Sequence, residues 1–145
     1  MMISFYLRKG IVYVPTCGKT EGGGPWRNIE PVTVVPFSDT TNLRRAFHQL
    51  VARGNPIVSN YSRSNQPPLV LPKYAGVKTY SAFYRGTFHW TANNDTGVWE
   101  ITPWRKHAGG GFQEDISRTI SLPQGSTLDH LCDHVIEILQ AAGRE

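Results

Sequence analysis

Two kinds of residue pattern are scarce or missing in this sequence, and each absence narrows the class of protein. Only two cysteines, Cys17 and Cys132, occur among 145 residues, and neither belongs to a CxxC pair. This argues against a disulfide-stapled scaffold, and we expect two reduced thiols. No apolar run is long enough to span a membrane, because Arg8 and Lys9 interrupt the hydrophobic N-terminal segment. We therefore expect a cytoplasmic protein with no membrane partner.

Acidic residues are absent from one long stretch. Between 40 and 90 there is no Asp or Glu, whereas Lys and Arg continue throughout. The chain carries a net charge of +4, but residues 1–90 alone carry +8 and residues 91–145 carry −4. The surface is polarised if these two parts form different faces, and mixed if they interleave.

The remaining composition is typical of one globular domain. Hydrophobic residues make up 39% of the chain and charged residues 18%, and no stretch is of low complexity. A chain of this length fits a single domain, which we place at 1–145, and it is large enough to bury a core without covalent staples.

The first predicted helix covers about 39–53. Ser38 or Asp39 is placed to cap it, and Gly54 followed by Pro56 ends it. Between these signals the apolar residues recur at intervals of three and four and form one stripe, which consists of Leu43, Ala46, Phe47, Leu50 and Val51.

The second predicted helix covers about 127–142. We expect Ser126 to cap it, with Asp129 completing a capping box, and Gly143 to end it. Its acidic residues recur every four positions and predict an acidic ridge that consists of Asp129, Asp133 and Glu137.

The rest of the chain reads mainly as strands. Alternating or β-branched residues predict strands at 3–8, 11–16, about 31–37, 69–71, 87–92, 97–105 and about 112–121, of which 87–92 and 97–105 form a hairpin. Residues 80–86 fit one helical turn or an irregular strand, and we favour the turn. We therefore predict an α+β fold of two layers, in which an antiparallel sheet of about five to seven strands packs against two main helices.

No segment of the sequence is a complete match to a catalytic or cofactor-binding motif. The Cys17-Gly18-Lys19-Thr20 segment resembles a phosphate loop, but position 13, where that motif needs glycine, is tyrosine. His130 and His134 have helical metal-ligand spacing without the third ligand that a zinc site needs. We expect no cofactor, no metal and no enzymatic activity.

A nuclease-like set can still be assembled from the basic residues, as in many basic chains of this length. It would comprise His48, His89, His107, Lys73 or Lys78, and Arg85. His89 lies among aromatic residues of a predicted strand, so a half-buried sheet position is the better interpretation of that histidine.

One segment, the acid-free residues 40–90, is unusually rich in basic and aromatic residues. Tyrosine, phenylalanine and tryptophan are interleaved there with Lys and Arg. Basic groups contact phosphates and aromatic rings stack on bases, so a nucleic-acid-binding module is one hypothesis. Tyr, Trp and Arg also dominate protein–protein hot spots. A third interpretation places the aromatic rings in the core and the charges on a solvated rim.

Five short segments are similar to segments of small bacterial proteins: VPFSD, LRRA, ARGNP, KYAGVK and SAF, which begin at Val35, Leu43, Ala52, Lys73 and Ser81. Over residues 30–142 the chain resembles immunity proteins of contact-dependent growth-inhibition systems. Such proteins share no catalytic motif, so the resemblance implies a role and no catalytic residue.

The role implied by the resemblance is neutralisation of a cognate toxin C-terminal domain, often a nuclease, in a one-to-one complex with a monomer. Nucleic acid remains the second choice of partner. The residues predicted to contact a partner are aromatic and charged residues of expected loops together with the acidic ridge: Trp26, Arg27, Tyr61, Arg63, Tyr84, Arg85, Asp95, Trp104, Glu114, Asp115, Asp129 and Asp133.

Overall fold

The computed structural model describes residues 1–61, 64 and 68–144, and shows an α+β fold. The strands are β1 (Met2–Arg8), β2 (Ile11–Thr20), β3 (Arg27–Pro36), β4 (Ile57–Val58), β5 (Thr87–Asn93), β6 (Glu100–Lys106), β7 (Phe112–Glu114) and β8 (Ile120–Ser121). The helices are α1 (Thr40–Arg53), α2 (Val70–Ala75), α3 (Tyr80–Tyr84) and α4 (Leu128–Gly143). The predicted fold class, with an antiparallel sheet and two main helices, is confirmed.

The sheet has the strand order β3-β2-β1-β5-β6-β7, and all neighbours along this path are antiparallel. The short strand β4 runs parallel to the end of β2, and β8 pairs with β6. Strand β1 pairs along its whole length with β5, so that Tyr6 lies opposite His89 and Phe5 lies opposite Trp90. The two central strands, β1 and β5, thus come from the beginning and the end of residues 1–90, the part of the sequence with a net charge of +8.

The main core lies between one face of the sheet and helices α1 and α4. Alternate residues of β1 point to this face, among them Phe5, which contacts Phe47 of α1 edge-to-face at 5.4 Å. The predicted stripe of α1 is buried except for the partly buried Val51. Asp39 caps this helix by accepting the Asn42 N–H at 3.2 Å, and the N–H of Gly54, at φ +76°, bonds the last turn.

The opposite face of the sheet has a smaller core, covered by α2 and α3. Its fully or nearly buried members are Tyr6, Tyr13, Leu71 and Phe83. The prediction of a strand at 69–71 is wrong, because this segment forms the start of α2. Leu71 lies on the buried side of that helix, in the smaller core. A three-residue apolar run does not distinguish a strand from one buried helical turn. The helical turn predicted at 80–86 is confirmed as α3.

Two other expected boundaries differ from the structure. The strand predicted at 112–121 is divided by a helical turn at Ile116–Arg118 into β7 and β8, which both pair with β6. The cap of α4 is Thr127 and not Ser126: Thr127 Oγ1 accepts the His130 N–H, and His130 Nδ1 accepts the Thr127 N–H. Ser126 instead donates to the Pro123 carbonyl.

Candidate partner-binding surfaces

The residues predicted to contact a partner are divided among several parts of the surface. Eleven of the twelve lie in the described part of the chain, and Arg63 lies outside it. The neighbouring sets are Trp26 with Arg27 and Tyr61, then Tyr84, Arg85, Trp104, Glu114 and Asp115, and finally Asp129 with Asp133. Asp95 lies apart in the turn after β5, with its carboxylate 3.3 Å from the Met1 ammonium.

The second set belongs to a continuous patch on the face that carries α3, which we call the α3–β7 surface. Its members are Ser81, Tyr84, Arg85, Trp104, Lys106, His107, Phe112 and Glu114. Tyr84 contacts Phe112 edge-to-face at 4.8 Å, which joins α3 to β7. Across β6 and β7, Trp104 lies opposite Glu114 and Lys106 lies opposite Phe112. Residues far apart in sequence therefore meet in one patch.

A stack of three rings supports this patch from below. The His89 ring lies 4.1 Å from Tyr6 and 4.8 Å from Trp104, measured between centroids, and is nearly parallel to both. Ser4 Oγ lies 2.8 Å from His89 Nε2, and Trp104 Nε1–H donates to Thr91 Oγ1 at 3.0 Å. These hydrogen bonds fix the Trp104 indole in orientation, so that it is pre-organised before any partner binds.

His89 has a strongly altered acidity. Burial lowers its pKa to about 3, because the surrounding sheet and rings exclude the water that would solvate an imidazolium. Only 7% of the residue is exposed, so the expected half-buried position is in fact a buried one. Its Nδ1 has no hydrogen-bond partner within the described ranges. Ser4 is 6% exposed, and a nucleophilic serine needs both access and an oriented histidine, so the Ser4–His89 pair is structural.

An open cleft of about 500 Å³ lies within the α3–β7 surface. Its walls are the exposed end of α3 and the hairpin that joins β6 to β7, and they consist of Ser81, Tyr84, Arg85, Lys106, His107 and Gly109–Gly111. Among the described residues, the lining includes two permanent cations and no carboxylate. Burial, with a smaller effect of the nearby Tyr80, raises the pKa of Tyr84 to about 12, so this phenol keeps its proton at neutral pH.

The set formed by Trp26, Arg27 and Tyr61 lies at the start of β3. The Arg27 guanidinium lies 5.3 Å from the Tyr61 ring centroid, which is cation–π distance, and Trp26 is 41% exposed. Next to this corner, Asn28 donates to the Tyr6 hydroxyl at 3.1 Å. The corner thus combines an exposed Trp26 with a partly buried Arg27 and Tyr61, and it is separate from the cleft.

The predicted acidic ridge is partly neutralised by α1. Arg44 reaches Asp133 at 2.5 Å and Asp129 at 3.4 Å, and His48 Nε2 lies 2.7 Å from the Asp129 carboxylate. The hydrogen bond from His48, followed by the charge of His48 and the contacts of Arg44, lowers the pKa of Asp129. These acids join the two main helices, so their charge is not free to attract a basic partner.

The same cluster contains three groups that are able to bind a metal ion. Ligand atoms of His48, Asp129 and the buried Cys132 lie within 4.8 Å of one another, which suits a tetrahedral metal with one open position. However, the Asp129 oxygen that would bind a metal accepts from His48 and Arg44, and a neighbouring guanidinium opposes a cation. Burial raises the pKa of the Cys132 thiol to about 11, which disfavours the thiolate that a metal needs.

A second groove lies on the face of the sheet that is covered by α1 and α4, between α4 and the strands β5 and β6. It encloses about 330 Å³, and its apolar walls include Phe88, Trp90, Pro103 and Ile138, with Arg118 as the charged residue. Phe88 at its edge is 40% exposed. Of the eleven predicted contact residues that the structure describes, Trp104 alone borders this groove.

The described basic residues of the acid-free segment 40–90, which leave out Arg63, do not form one track. Arg44 and Arg45 lie on α1, against one face of the sheet, whereas Arg85 follows α3 on the other face. Lys73 lies 3.6 Å from Glu30. The nuclease-like set is also dispersed, since His48 lies on α1 and His89 is buried, and His107 alone joins Arg85 at the cleft.

Several members of the α3–β7 surface are not among the residues predicted from the sequence. Lys106, His107 and Phe112 lie outside the acid-free segment, and Ser81 is one of many serines. The sequence does contain a signal for the cleft, which is the basic triplet at 105–107, separated by Ala108 from Gly109–Gly111. A glycine-rich turn beside basic residues indicates a backbone that a ligand approaches closely.

No protein-family model and no curated protein matches this chain. Among solved structures, the chain is similar to the "Protein of Unknown Function NMB0488" from Neisseria meningitidis, with a TM-score of 0.66 and 13% sequence identity. The match covers 97% of this chain and 93% of that one. At this identity the similarity shows a shared fold. Within the described ranges, no helix has both the length and the apolar character required to cross a membrane.

Proposed function

We propose that this protein binds and neutralises a cognate toxin domain, and that the α3–β7 surface is the contact region. The role comes from the resemblance to growth-inhibition immunity proteins. The observation that carries the choice of surface is the convergence of Tyr84, Arg85, Trp104 and Glu114, which belong to different elements, in one patch. Aromatic and arginine residues held rigidly beside exposed charges are the composition of interface hot spots.

The electrostatics of the patch define the partner surface that it fits. The cleft contributes Arg85 and Lys106, and Glu114 lies on the neighbouring strand as an acidic edge. A complementary partner therefore presents an acidic projection toward the cleft and a basic group toward Glu114. Such complementarity accelerates encounter and suppresses wrong partners. The acids of α4 contribute less, because Arg44 and His48 already compensate them.

The test is binding to any toxin C-terminal domain that is encoded immediately upstream of this chain. We expect co-purification of a one-to-one complex, a nanomolar dissociation constant by calorimetry, and growth rescue of cells that express the toxin domain. Absence of both binding and rescue would remove the proposal.

Charge-reversal variants locate the interface. Arg85→Glu and Glu114→Lys change exposed residues of the patch, and each is expected to weaken the complex by about tenfold or more, equivalent to about 1.4 kcal/mol. Arg53→Glu, which changes an exposed residue of α1 behind the sheet, is the matched control and is expected to retain affinity within about twofold. Loss confined to Arg118→Glu would instead assign binding to the apolar groove.

A further inference from the structure

The cleft between α3 and the β6–β7 hairpin has the chemistry of an anion site. Arg85, Lys106 and His107 come from two separate elements and line the same open space. Within the described ranges, neither Arg85 nor Lys106 has an acidic partner at salt-bridge distance, and no carboxylate lines the cleft. Arg85 and Lys106 repel each other when no counterion is present, and an anion bound in the cleft is attracted by both charges.

The hairpin fixes the donor that His107 offers. The Gly109 N–H donates to His107 Nδ1 at 3.1 Å, so the proton of the neutral ring is carried by Nε2. The Gly110 N–H donates to the His107 carbonyl at 2.9 Å and closes the turn. The donor that His107 offers is therefore Nε2–H, because Nδ1 accepts from the loop.

Glycine is required at the tip of this hairpin. Gly110 and Gly111 have φ values of +97° and +74°, which side chains with a Cβ rarely adopt, and a Cβ built at either position would meet no atom within 4 Å. The wall of the cleft on this side is thus bare backbone, which permits close approach of a ligand.

The number of donors distinguishes the class of anion. Ser81 and the protonated Tyr84 add hydroxyl groups to the guanidinium, the ammonium and the imidazole N–H of the lining. A carboxylate has two oxygens, whereas a phosphate group has three or four and carries up to two charges. Five donor side chains without a competing acid match the larger oxyanion.

We propose that this cleft binds a phosphate group, carried by a free phosphate ester or by a nucleic-acid strand. Arg85 and Lys106 supply the charge, and His107 supplies a directed donor. This inference goes beyond the proposed function and does not depend on it, because its probe is inorganic phosphate and not a toxin domain.

The test is titration of the isolated chain with inorganic phosphate at pH 7, followed by ¹H–¹⁵N NMR against sodium chloride at equal ionic strength. We expect saturable shifts of the amides of Ser81, Arg85, His107 and Gly109–Gly111, with a dissociation constant of about 1 mM or lower. Arg85→Gln and Lys106→Gln are each expected to weaken binding by about tenfold. Arg53→Gln, the matched loss of one cation on the other face, is expected to leave it unchanged.

Two further probes distinguish the source of the phosphate. If adenosine 5′-monophosphate binds more tightly than a single-stranded oligonucleotide without a terminal phosphate, the cleft recognises a terminal phosphate. An oligonucleotide that binds more tightly, with a salt slope of about −0.7 for each contacted phosphate, identifies a nucleic-acid backbone. Shifts no larger than those with chloride, or shifts that persist in both cleft variants, would overturn the proposal. Failure to bind a toxin domain has no bearing on this result.

Discussion

At the scale of single residues, His89 connects the interior of the sheet to the candidate surface. Its ring lies between Tyr6 and Trp104, and its Nε2 is paired with Ser4. The pKa of about 3 means that protonation is opposed in the folded state, whereas the unfolded chain binds a proton near the ordinary pKa of 6.5. The indole that a partner would contact therefore rests on a group that must stay neutral.

The pH dependence of stability follows from this difference. Between pH 6.5 and pH 3 the unfolded state binds more protons at this site, so the stability from a neutral His89 is fully present above pH 6.5 and is lost as pH falls. We predict that the free energy of unfolding decreases by up to about 1.4 kcal/mol per pH unit between pH 6 and pH 4.5. Urea unfolding at several pH values measures this slope.

The variant His89→Gln removes the titrating ring and is expected to flatten the slope, although the protein is less stable overall because the ring stack is lost. His134→Gln changes an exposed histidine of α4 and serves as the control, with a slope like that of the wild type. An unchanged slope in His89→Gln would show that other groups are responsible.

At the scale of single elements, helix α4 depends on a cap that differs from the expected one. Thr127 and His130 satisfy each other's backbone N–H groups, whereas Ser126 belongs to the preceding turn. Ser126 and Thr127 both carry a hydroxyl group and are adjacent in sequence, so residue type does not show which of them caps the helix. The choice is made by backbone geometry, since Thr127 has the extended conformation of a cap.

Alanine substitutions separate the two assignments. Thr127→Ala is expected to lower the free energy of unfolding by about 1 kcal/mol, because an orphan amide of the first turn loses its acceptor. Ser126→Ala is the matched control and is expected to cost less, since its hydrogen bond lies in an exposed turn. Chemical unfolding of both variants gives the comparison, and a larger loss for Ser126→Ala would contradict the cap seen in the structure.

At the scale of the whole molecule, one sheet carries two cores. Phe5 faces α1 and α4, while its neighbour Tyr6 faces α2 and α3. Consecutive residues of a strand point to opposite faces, so β1 is shared by both cores. This sharing predicts that 1–145 unfolds as one domain, with no separate transition for the small helices.

Removal of a ring from the smaller core tests this prediction. Phe83→Ala is expected to lower the free energy of unfolding by about 3–5 kcal/mol, because Phe83 is fully buried between Tyr6 and Tyr13. Far- and near-ultraviolet circular dichroism are expected to report one coincident transition. Phe88→Ala, at a ring that is 40% exposed, is expected to cost less. An early separate transition in Phe83→Ala would divide the chain into two cooperative units.

The charge distribution also acquires its meaning at this scale. The basic and acidic parts of the sequence interleave where α1 meets α4, since Arg44 pairs with Asp129 and Asp133. At the cleft the opposite occurs, because Arg85 from the basic part meets Lys106 and His107 from the acidic part. Net charge along the sequence therefore does not predict the local charge of either surface.

The fold class, the two main helices and the β5–β6 hairpin are predictable from the sequence alone. These elements are encoded locally, by periodicity, caps and turn residues, as in α1 between Asp39 and Gly54. Helix α2 is not predictable in this way, because a short apolar run such as 69–71 fits a strand or a helical turn until a neighbour covers it.

Which of the predicted residues meet depends on the tertiary structure. Tyr84, Trp104 and Glu114 converge because β5 carries the chain from α3 to β6, and β7 then returns alongside. Asp129 and Asp133 lose their free charge because packing of α1 brings Arg44 to them. Such pairings depend on contacts between residues distant in sequence, for which a local pattern carries no signal.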